Sequence, residues 1–184
     1  MDSVNRPGKK GGRKRLALIA GCCYNDRNGQ LDSGVIYRVD GRMNHAAMIE
    51  NMIKWAKEKT GNSQYAGWCL SFVEDALEIS NHIEIFGGAS AKESCDMYYD
   101  AIQTGVPERG AFVFYDCMCP SDAGLVNWGH CGICIGEGKV IHAWDMVRID
   151  DYLQIENLTS LVGGHPEYIG WVPLERVLLQ KPDK

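Results

Sequence analysis

The sequence predicts an α+β domain in which helices come first along the chain and an antiparallel sheet follows. Apolar residues recur at helical spacing between residues 44 and 103, whereas short β-prone runs separated by turn residues dominate from residue 111 onward. This segregated order is typical of α+β proteins, because parallel α/β sheets require helices and strands to alternate. We therefore expect helices packed on a central antiparallel sheet.

Length and composition limit the class of protein. The 184 residues suffice for one domain and an extension, and a chain that is 45% hydrophobic and 23% charged has the composition of a soluble globular protein. No apolar run approaches the ~20 residues that span a bilayer. The net charge is −5 although basic residues cluster at the amino end, so the rest of the chain is more acidic still. Nucleic-acid binding is disfavoured, because it requires clustered Lys and Arg.

The amino end is divided into two segments ahead of a domain at residues 43–180. Residues 1–15 are basic and glycine-rich, which indicates a flexible tail, and residues 16–42 are interpreted as a short strand-bearing segment. An alternative is export, because the letters before Cys22 are similar to the lipoprotein processing box of bacteria. The apolar stretch there is shorter than the ~7–15 residues of a signal core. The compartment therefore stays open.

Three helices are expected at the start of the domain. Apolar spacing predicts the first over residues 44–59, with Gly61 as a stop signal. The second is expected over residues 65–79 with Ser63 as its N-cap. The third is expected over residues 89–103, where glycine and proline follow.

The strands follow the helices. The continuous run AFVFY at 111–115 predicts a strand buried on both faces. Residues 117–129 are expected to form a loop, which is long enough to be a candidate functional loop. Apolar runs at 130–135 and 139–144, separated by GEG, predict a hairpin. Further strands are expected at 147–149 and 168–172.

Cys69 is the candidate nucleophile. Cysteine attacks as the thiolate, and the pKa of a free thiol is near ~8.5. A position in the first turns of the second predicted helix lowers that pKa, because unpaired amide groups and the helix dipole favour the anion. None of the other seven cysteines is clearly placed in this way. The alternative is that Cys69 is a small core residue, as we expect for most of these thiols.

His130 and His142 lie in the two strands of the predicted hairpin. A regular two-residue turn within 136–138 would send them to opposite faces of the sheet, whereas an odd-length loop or bulge, such as a three-residue loop, would pair Gly132 with His142. The two imidazoles would then share a face within diagonal reach. Gly138 suits the left-handed conformation of such a loop, and Gly132 leaves room beside the imidazoles. The alternative is that the histidines are unrelated polar residues at a sheet edge.

The hairpin resembles a known signature. The letters GHCGICIG at 129–136 and GKVIHA at 138–143 are similar to GHVGIYIG and GKMIHA of the NlpC-type bacterial cell-wall cysteine peptidases. RGAFVFY at 109–115 resembles the GDLVFF strand of that family, and YAGWCLSFV at 65–73 occupies the place of its nucleophile helix. The resemblance covers about residues 44–175, and its hairpin part is the most specific.

The resemblance implies a papain-like fold and hydrolysis through a thioester, without a cofactor. By position it makes Cys69 the nucleophile, His130 the general base and His142 the polar residue that orients the base. Tyr65 matches a tyrosine that lines the substrate groove. The implied substrate is the stem peptide of bacterial peptidoglycan, typically at a γ-D-glutamyl bond to a diamino acid.

Aromatic residues close to the candidate site are interpreted as groove walls. Trp68 and Trp128 join Tyr65 in this prediction, and the acidic domain suits a stem peptide that bears a free amino group. The alternative is that these three side chains belong to the core. The partner is thus expected to be peptidoglycan or another peptide, without nucleic acid or a membrane span, and the oligomeric state stays open.

Two departures from the family pattern bear on the substrate more than on the chemistry. The usual DCSG around the nucleophile is WCLS at 68–71, and Ala111 replaces the aspartate of the first strand. The related CHAP amidases share a cysteine helix and a Gly-His strand, but usually carry Glu or Asn as the third residue. His142 therefore favours the NlpC-type resemblance.

Other functions remain open. Cys117 and Cys119, with His130, Cys131 and Cys134, could form a zinc site, but an offset of three within a strand sends side chains to opposite faces. The same geometry disfavours a redox Cys-x-x-Cys motif, which belongs at a helix start. A non-catalytic or regulatory binding domain on the same scaffold is a further alternative, as is acyl transfer or deamidation on a substrate outside the cell wall.

Overall fold

The computed structural model describes residues 44–121, 124–159 and 164–179. The predicted tail at 1–15, the strand-bearing segment at 16–42 and Cys22 lie outside the described residues. Within them, helices precede a sheet whose neighbouring strands are antiparallel, which confirms the predicted α+β class. No helix in this part of the chain has the length and apolar character to cross a bilayer.

The described residues form four α-helices. Their bounds are His45–Glu58 (α1), Cys69–Asn81 (α2), Ala91–Met97 (α3) and Leu174–Val177 (α4). α1 agrees with the predicted first helix, and the side chain of Asn44 caps it by accepting a hydrogen bond from the Ala47 amide at 3.2 Å.

The second helix begins later than predicted, and Ser63 is not its N-cap. Ala66 donates its amide to the Ser63 carbonyl at 3.0 Å in a turn, and Gly67 has a φ of 73°. A left-handed residue interrupts a right-handed helix, so the helical run starts only at Cys69.

The predicted third helix over residues 89–103 is also too long. Ser90 caps α3 by accepting from the Glu93 amide at 3.1 Å, and the helix ends at Met97. Beyond that point, the Gln103 amide donates to the Trp171 carbonyl at 2.8 Å in an isolated bridge to the last strand. Pairing with that strand withdraws the segment from the helix.

Within the ranges that the structure describes, seven strands form two sheets. The bounds are Phe112–Asp116 (β1), Met118–Ser121 (β2), Gly124–Asn127 (β3), His130–Gly136 (β4), Lys139–Ala143 (β5), Val147–Asp151 (β6) and Glu167–Val172 (β7). The main sheet has the order β6-β5-β4-β1-β7, and β2 pairs with β3 alone. The prediction of a loop at 117–129 is therefore wrong, because most of that segment is the β2–β3 hairpin.

The β4–β5 hairpin has the predicted register, and a bulge produces it. Gly132 pairs with His142. Glu137 and Gly138, with φ values of 53° and 68°, form a two-residue turn, and a bulge at residue 135 adds the odd residue that the predicted odd-length loop or bulge was expected to supply.

The sheet carries apolar clusters on both faces. α1 and α2 pack together, and α2 packs on β4 and β5, which brings the start of α2 close to the start of β4. Fully burying side chains such as Phe72 or Ile133 contributes about 1.5–3 kcal/mol each. A smaller cluster covers the other face: Ala111, Val113, Tyr115, Cys134, Val140, Ile155 and Trp171.

Candidate active site

Cys69 is the first residue of α2 and is half-buried. The first helical hydrogen bond runs from the Phe72 amide to the Trp68 carbonyl at 3.0 Å, and no side chain caps the helix. The amides of the first turn therefore have no acceptor within the helix. Their partial positive charge favours an anion at the position of the Cys69 sulfur.

The neighbours of Cys69 hold its pKa well below the ordinary thiol value. The largest cause is a hydrogen bond from the Cys131 thiol, followed by the charge and hydrogen bond of His130 and by the backbone amide of Cys131, while burial opposes them. Burial, and then the contact with Cys69, raises the pKa of Cys131. Cys131 thus stays protonated, and its S–H group donates a hydrogen bond to the Cys69 thiolate.

His130 opens β4 and is buried, with an exposed fraction of 2%. The Trp144 ring meets its imidazole edge-on at a centroid distance of 5.1 Å, and Tyr115 lies at 5.9 Å. Its Nε2 atom lies 2.9 Å from Nδ1 of His142. The imidazole is therefore fixed by rings on its sides and by one hydrogen bond.

His142 is fully buried and connects His130 to a carboxylate. Its Nε2 atom lies 3.0 Å from Oδ2 of Asp150, which also accepts a hydrogen bond from Nε of Arg148 at 2.6 Å. Burial lowers the pKa of His142 to about 4. The hydrogen bond from His142, and then that from Arg148, lowers the pKa of Asp150. Near neutral pH, Asp150 is charged and His142 is neutral.

These protonation states decide the tautomers of both histidines. Neutral His142 carries one ring proton, and the Asp150 carboxylate, which can only accept, requires it on Nε2. Nδ1 of His142 is then an acceptor, so His130 donates its Nε2 proton across the 2.9 Å contact. Nδ1 of His130 is then the ring nitrogen that can take the proton of the Cys69 thiol and leave the thiolate.

Gly132 makes this arrangement sterically possible. A Cβ atom there would lie 2.5 Å from Cγ1 of Val140 and 2.9 Å from Cβ of His142, distances that real Cβ atoms do not show. The room beside the imidazoles that the sequence predicted is therefore real, and a side chain at residue 132 would occupy it.

The three residues predicted to line a groove lie in different surroundings. The hydroxyl of Tyr65 donates a hydrogen bond to Asp75 at 2.7 Å. Its ring packs on Phe72 at a centroid distance of 5.4 Å and so joins the larger apolar cluster between the helices and the sheet, here called the helix-side core. Trp68 and Trp128 are 45% and 47% exposed and lie next to Cys69 and just before His130 in the chain. Their role in binding stays a prediction.

Sequence reasoning missed Asp150, Trp144 and Cys131 as neighbours of the site. The position of Asp150 could have been found from strand alternation, since β6 pairs Arg148 with His142 and residue 150 has the same facing as residue 148. For Trp144 and Cys131 the sequence contains no such signal. The contact of Trp144 with His130 depends on the path of the chain after β5, and that of Cys131 with Cys69 depends on how α2 packs on the sheet.

A zinc site receives no support in the described ranges, where no group of three or more His, Cys, Asp or Glu side chains could hold a metal ion. Cys131 belongs to the helix-side core and Cys134 to the cluster on the other face, as the strand offset predicted. The sulfur atoms of Cys117 and Cys119 lie 4.0 Å apart as a separate pair.

The chain has a distant structural neighbour among known proteins. No protein family and no curated protein matches the chain. Among solved structures, the chain is similar to RipD from Mycobacterium tuberculosis, described as a non-catalytic NlpC/p60 domain protein adapted to peptidoglycan binding. The identity is 14%, the match covers 69% of this chain and 97% of that chain, and the TM-score is 0.39. A similarity of this size carries no argument about activity.

Proposed function

We propose that the chain is a cysteine hydrolase that cleaves a peptide or amide bond. The observation that carries the proposal is the hydrogen-bonded series Asp150–His142–His130, together with the lowering of the pKa of Cys69 at the start of α2 by His130. Asp150 fixes the tautomer of His142, His142 orients the imidazole of His130, and His130 lowers the pKa of the Cys69 thiol. A core cysteine has no need of two buried histidines and a carboxylate.

The reaction follows the protonation states given above. Nδ1 of His130 takes the thiol proton, and the Cys69 sulfur attacks the carbonyl carbon of the substrate. First-turn amides of α2 stabilise the oxyanion. The imidazolium then protonates the leaving amine, which leaves a thioester on Cys69. Water, deprotonated by His130, hydrolyses the thioester and releases the acid and the thiol.

Peptidoglycan stem peptides are the substrate class that we propose first. The signature at 129–143 supports this choice, and exposed Trp68 and Trp128, which precede Cys69 and His130 in the chain, would serve as apolar walls of a groove. The acidic character of the domain suits a substrate with a free amino group.

A non-catalytic binding domain is the second candidate. The two exposed tryptophans would serve a bound peptide without any chemistry, since exposed aromatic side chains are common anchors at binding surfaces. Acyl transfer or deamidation on a substrate outside the cell wall would use the same Cys69 and His130 chemistry.

The test is incubation with purified peptidoglycan and mass analysis of the released fragments. New amino termini that depend on Cys69, and that are lost in Cys69→Ser but retained in the matched control Cys134→Ser, are the expected result. Sedimentation with peptidoglycan without any fragment would favour the binding domain. Hydrolysis of a simple thioester, with every peptidoglycan preparation left intact, would move the proposal to acyl chemistry outside the wall.

A further inference from the structure

A pair of thiols that the proposed hydrolysis does not use lies at the start of the β2–β3 hairpin. Cys117 immediately precedes β2, and Cys119 is the second residue of that strand. Their sulfur atoms are 4.0 Å apart. Side chains two positions apart along a strand point to the same face, so the contact agrees with their spacing in the sequence.

The hairpin holds the backbone of this pair in place. The Cys117 amide donates a hydrogen bond to Oδ1 of Asn127 at 2.9 Å, and its carbonyl accepts one from the Trp128 amide at 3.1 Å. Cys119 pairs with Val126 across the same hairpin. Both cysteines are thus tied to β3 or to the residue that follows it, which keeps the two thiols side by side.

The two thiols differ in how far solvent reaches them. Cys117 has an exposed fraction of 2%, whereas Cys119 is half-buried. Burial, and then the neighbouring Cys119, raises the pKa of Cys117 to about 12. A small molecule therefore meets Cys119 first. Since no third His, Cys, Asp or Glu of the described ranges joins the pair in a group that could hold a metal, the pair offers dithiol chemistry rather than a metal site.

We propose that Cys117 and Cys119 are a reversible modification site, at which a small-molecule disulfide oxidises the pair to an intrachain disulfide. The Cys119 thiolate attacks one sulfur of the small disulfide, the S–S bond breaks, and the leaving thiolate takes up the proton that Cys119 lost. The Cys117 sulfur then attacks the Cys119 sulfur of this mixed disulfide, and the second small thiol leaves with the Cys117 proton. One small disulfide becomes two thiols, and two cysteines become one disulfide.

The spacing of the two residues makes the new bond easy to reduce. Residues two apart in a strand have Cα atoms about 6.4–6.8 Å apart, at the upper end of the ~4.4–6.8 Å that disulfides span. The bond can therefore form without separating β2 from β3, but in a strained ring. Strained disulfides are more readily reduced than structural ones, so a monothiol such as reduced glutathione should reopen it.

The experiment incubates the reduced full-length protein with glutathione disulfide, alkylates the remaining thiols and maps the cysteines by mass spectrometry. Cyanogen bromide cleaves after Met118, hence between the two cysteines, and proteolysis before Asp122 separates Cys119 from the later cysteines. The expected product is a disulfide between the fragment that ends at Met118 and the fragment 119–121. Excess reduced glutathione should reverse it completely.

Serine variants test each thiol of the pair. Cys117→Ser is expected to keep glutathione attached to Cys119, because no second thiol follows, and Cys119→Ser is expected to form neither product. Cys119 is half-buried, so its variant keeps the test decisive where Cys117→Ser does not fold. The matched control is Cys134→Ser, whose thiol donates to the Pro107 carbonyl at 3.2 Å in the wild type and which should close the disulfide normally.

The Cys69→Ser variant separates this proposal from the proposed hydrolysis. Cys69 has no part in the exchange, so this variant should form the Cys117–Cys119 disulfide to the same extent as the wild type. Loss of the product in Cys69→Ser, a stable glutathione adduct on Cys119 of the wild type, a cross-link to another cysteine, resistance to reduced glutathione, or no reaction would each overturn the proposal. Because the readout is the thiol state, it is independent of whether the chain hydrolyses peptidoglycan.

Discussion

Asp150 shows how a single buried interaction controls the chemistry of a residue that it does not touch. Its carboxylate contacts His142, not His130, yet it decides which nitrogen of each imidazole carries a proton. Arg148 shares the carboxylate and keeps it charged. The imidazole of His130 is thus oriented through two hydrogen bonds in series.

Replacement of Asp150 tests this series. Asp150→Ala removes the acceptor that holds the His142 proton on Nε2, so we expect turnover to fall about tenfold to a hundredfold, as for other supporting hydrogen bonds. The matched control is Asp151→Ala, which removes a neighbouring carboxylate that pairs with Lys139 at the surface. Steady-state kinetics on the substrate found above is the measurement. Equal losses in both variants would show that residue 150 has no special role.

The reactivity of Cys69 is the second property of a single residue that can be measured. Its lowered pKa predicts that limiting iodoacetamide at about pH 6 labels Cys69 first, because ordinary thiols of pKa near ~8.5 are almost wholly protonated there. His130→Ala should slow the labelling, and His142→Ala should reduce turnover with a smaller effect on labelling. Peptide mapping after short exposure measures both. Slow, uniform labelling that His130→Ala leaves unchanged would contradict a catalytic thiolate.

At the scale of the element, the sequence predicted the register of the central hairpin but did not decide between a loop and a bulge as its cause. Alternation along β4 and β5 requires an odd residue for His130 and His142 to share a face, and that argument needs only the sequence. Whether the odd residue lies in the turn or in a bulge depends on how residue 135 packs, which is tertiary information. The start of α2 was misplaced for a similar reason, since Gly67 at φ 73° follows from the fold of the 62–67 turns.

Gly132 gives the hairpin its most direct test. Gly132→Ala places a Cβ atom 2.9 Å from Cβ of His142 and 2.5 Å from Cγ1 of Val140, so the strand or the imidazole must move. We expect a loss of about 1–3 kcal/mol in the free energy of unfolding and a fall in turnover. Urea unfolding and kinetics measure these effects.

A second substitution removes one of the three collisions at residue 132. Adding Val140→Ala to Gly132→Ala removes the contact with Cγ1 of Val140 and leaves those with His142 and with the Ile141 carbonyl. The double variant should therefore remain impaired in turnover, whatever part of the stability it recovers. Full turnover in the Gly132→Ala single variant would mean that the imidazole tolerates the added methyl group.

At the scale of the whole molecule, the candidate site joins features that differ in how far the sequence determines them. The fold class follows from local periodicity, and motif and register make Cys69, His130 and His142 the candidate site residues. The contacts of Cys131, Trp144 and Asp150 require α2, β4, β5 and β6 to be assembled. Buried His142 also makes the stability of the fold depend on pH.

The stability of the molecule should fall as pH decreases from 6.5 to 4 because of His142. Its pKa is about 4 in the folded state, from an ordinary value of 6.5, since burial penalises the charged form. In that window the unfolded chain binds a proton that the folded chain does not, so the free energy of unfolding decreases with decreasing pH, by up to about 3 kcal/mol.

His142→Asn keeps one donor and one acceptor but cannot titrate. Its unfolding free energy, measured in urea at each pH, should therefore decline less steeply than that of the wild type between pH 6.5 and 4 and run parallel to it at higher pH. The exposed His82, changed to Asn in the matched control, should leave the steep decline in place. Parallel curves for the wild type and His142→Asn throughout would show that His142 is not held neutral by burial, and the tautomers assigned to the histidine pair would fail with it.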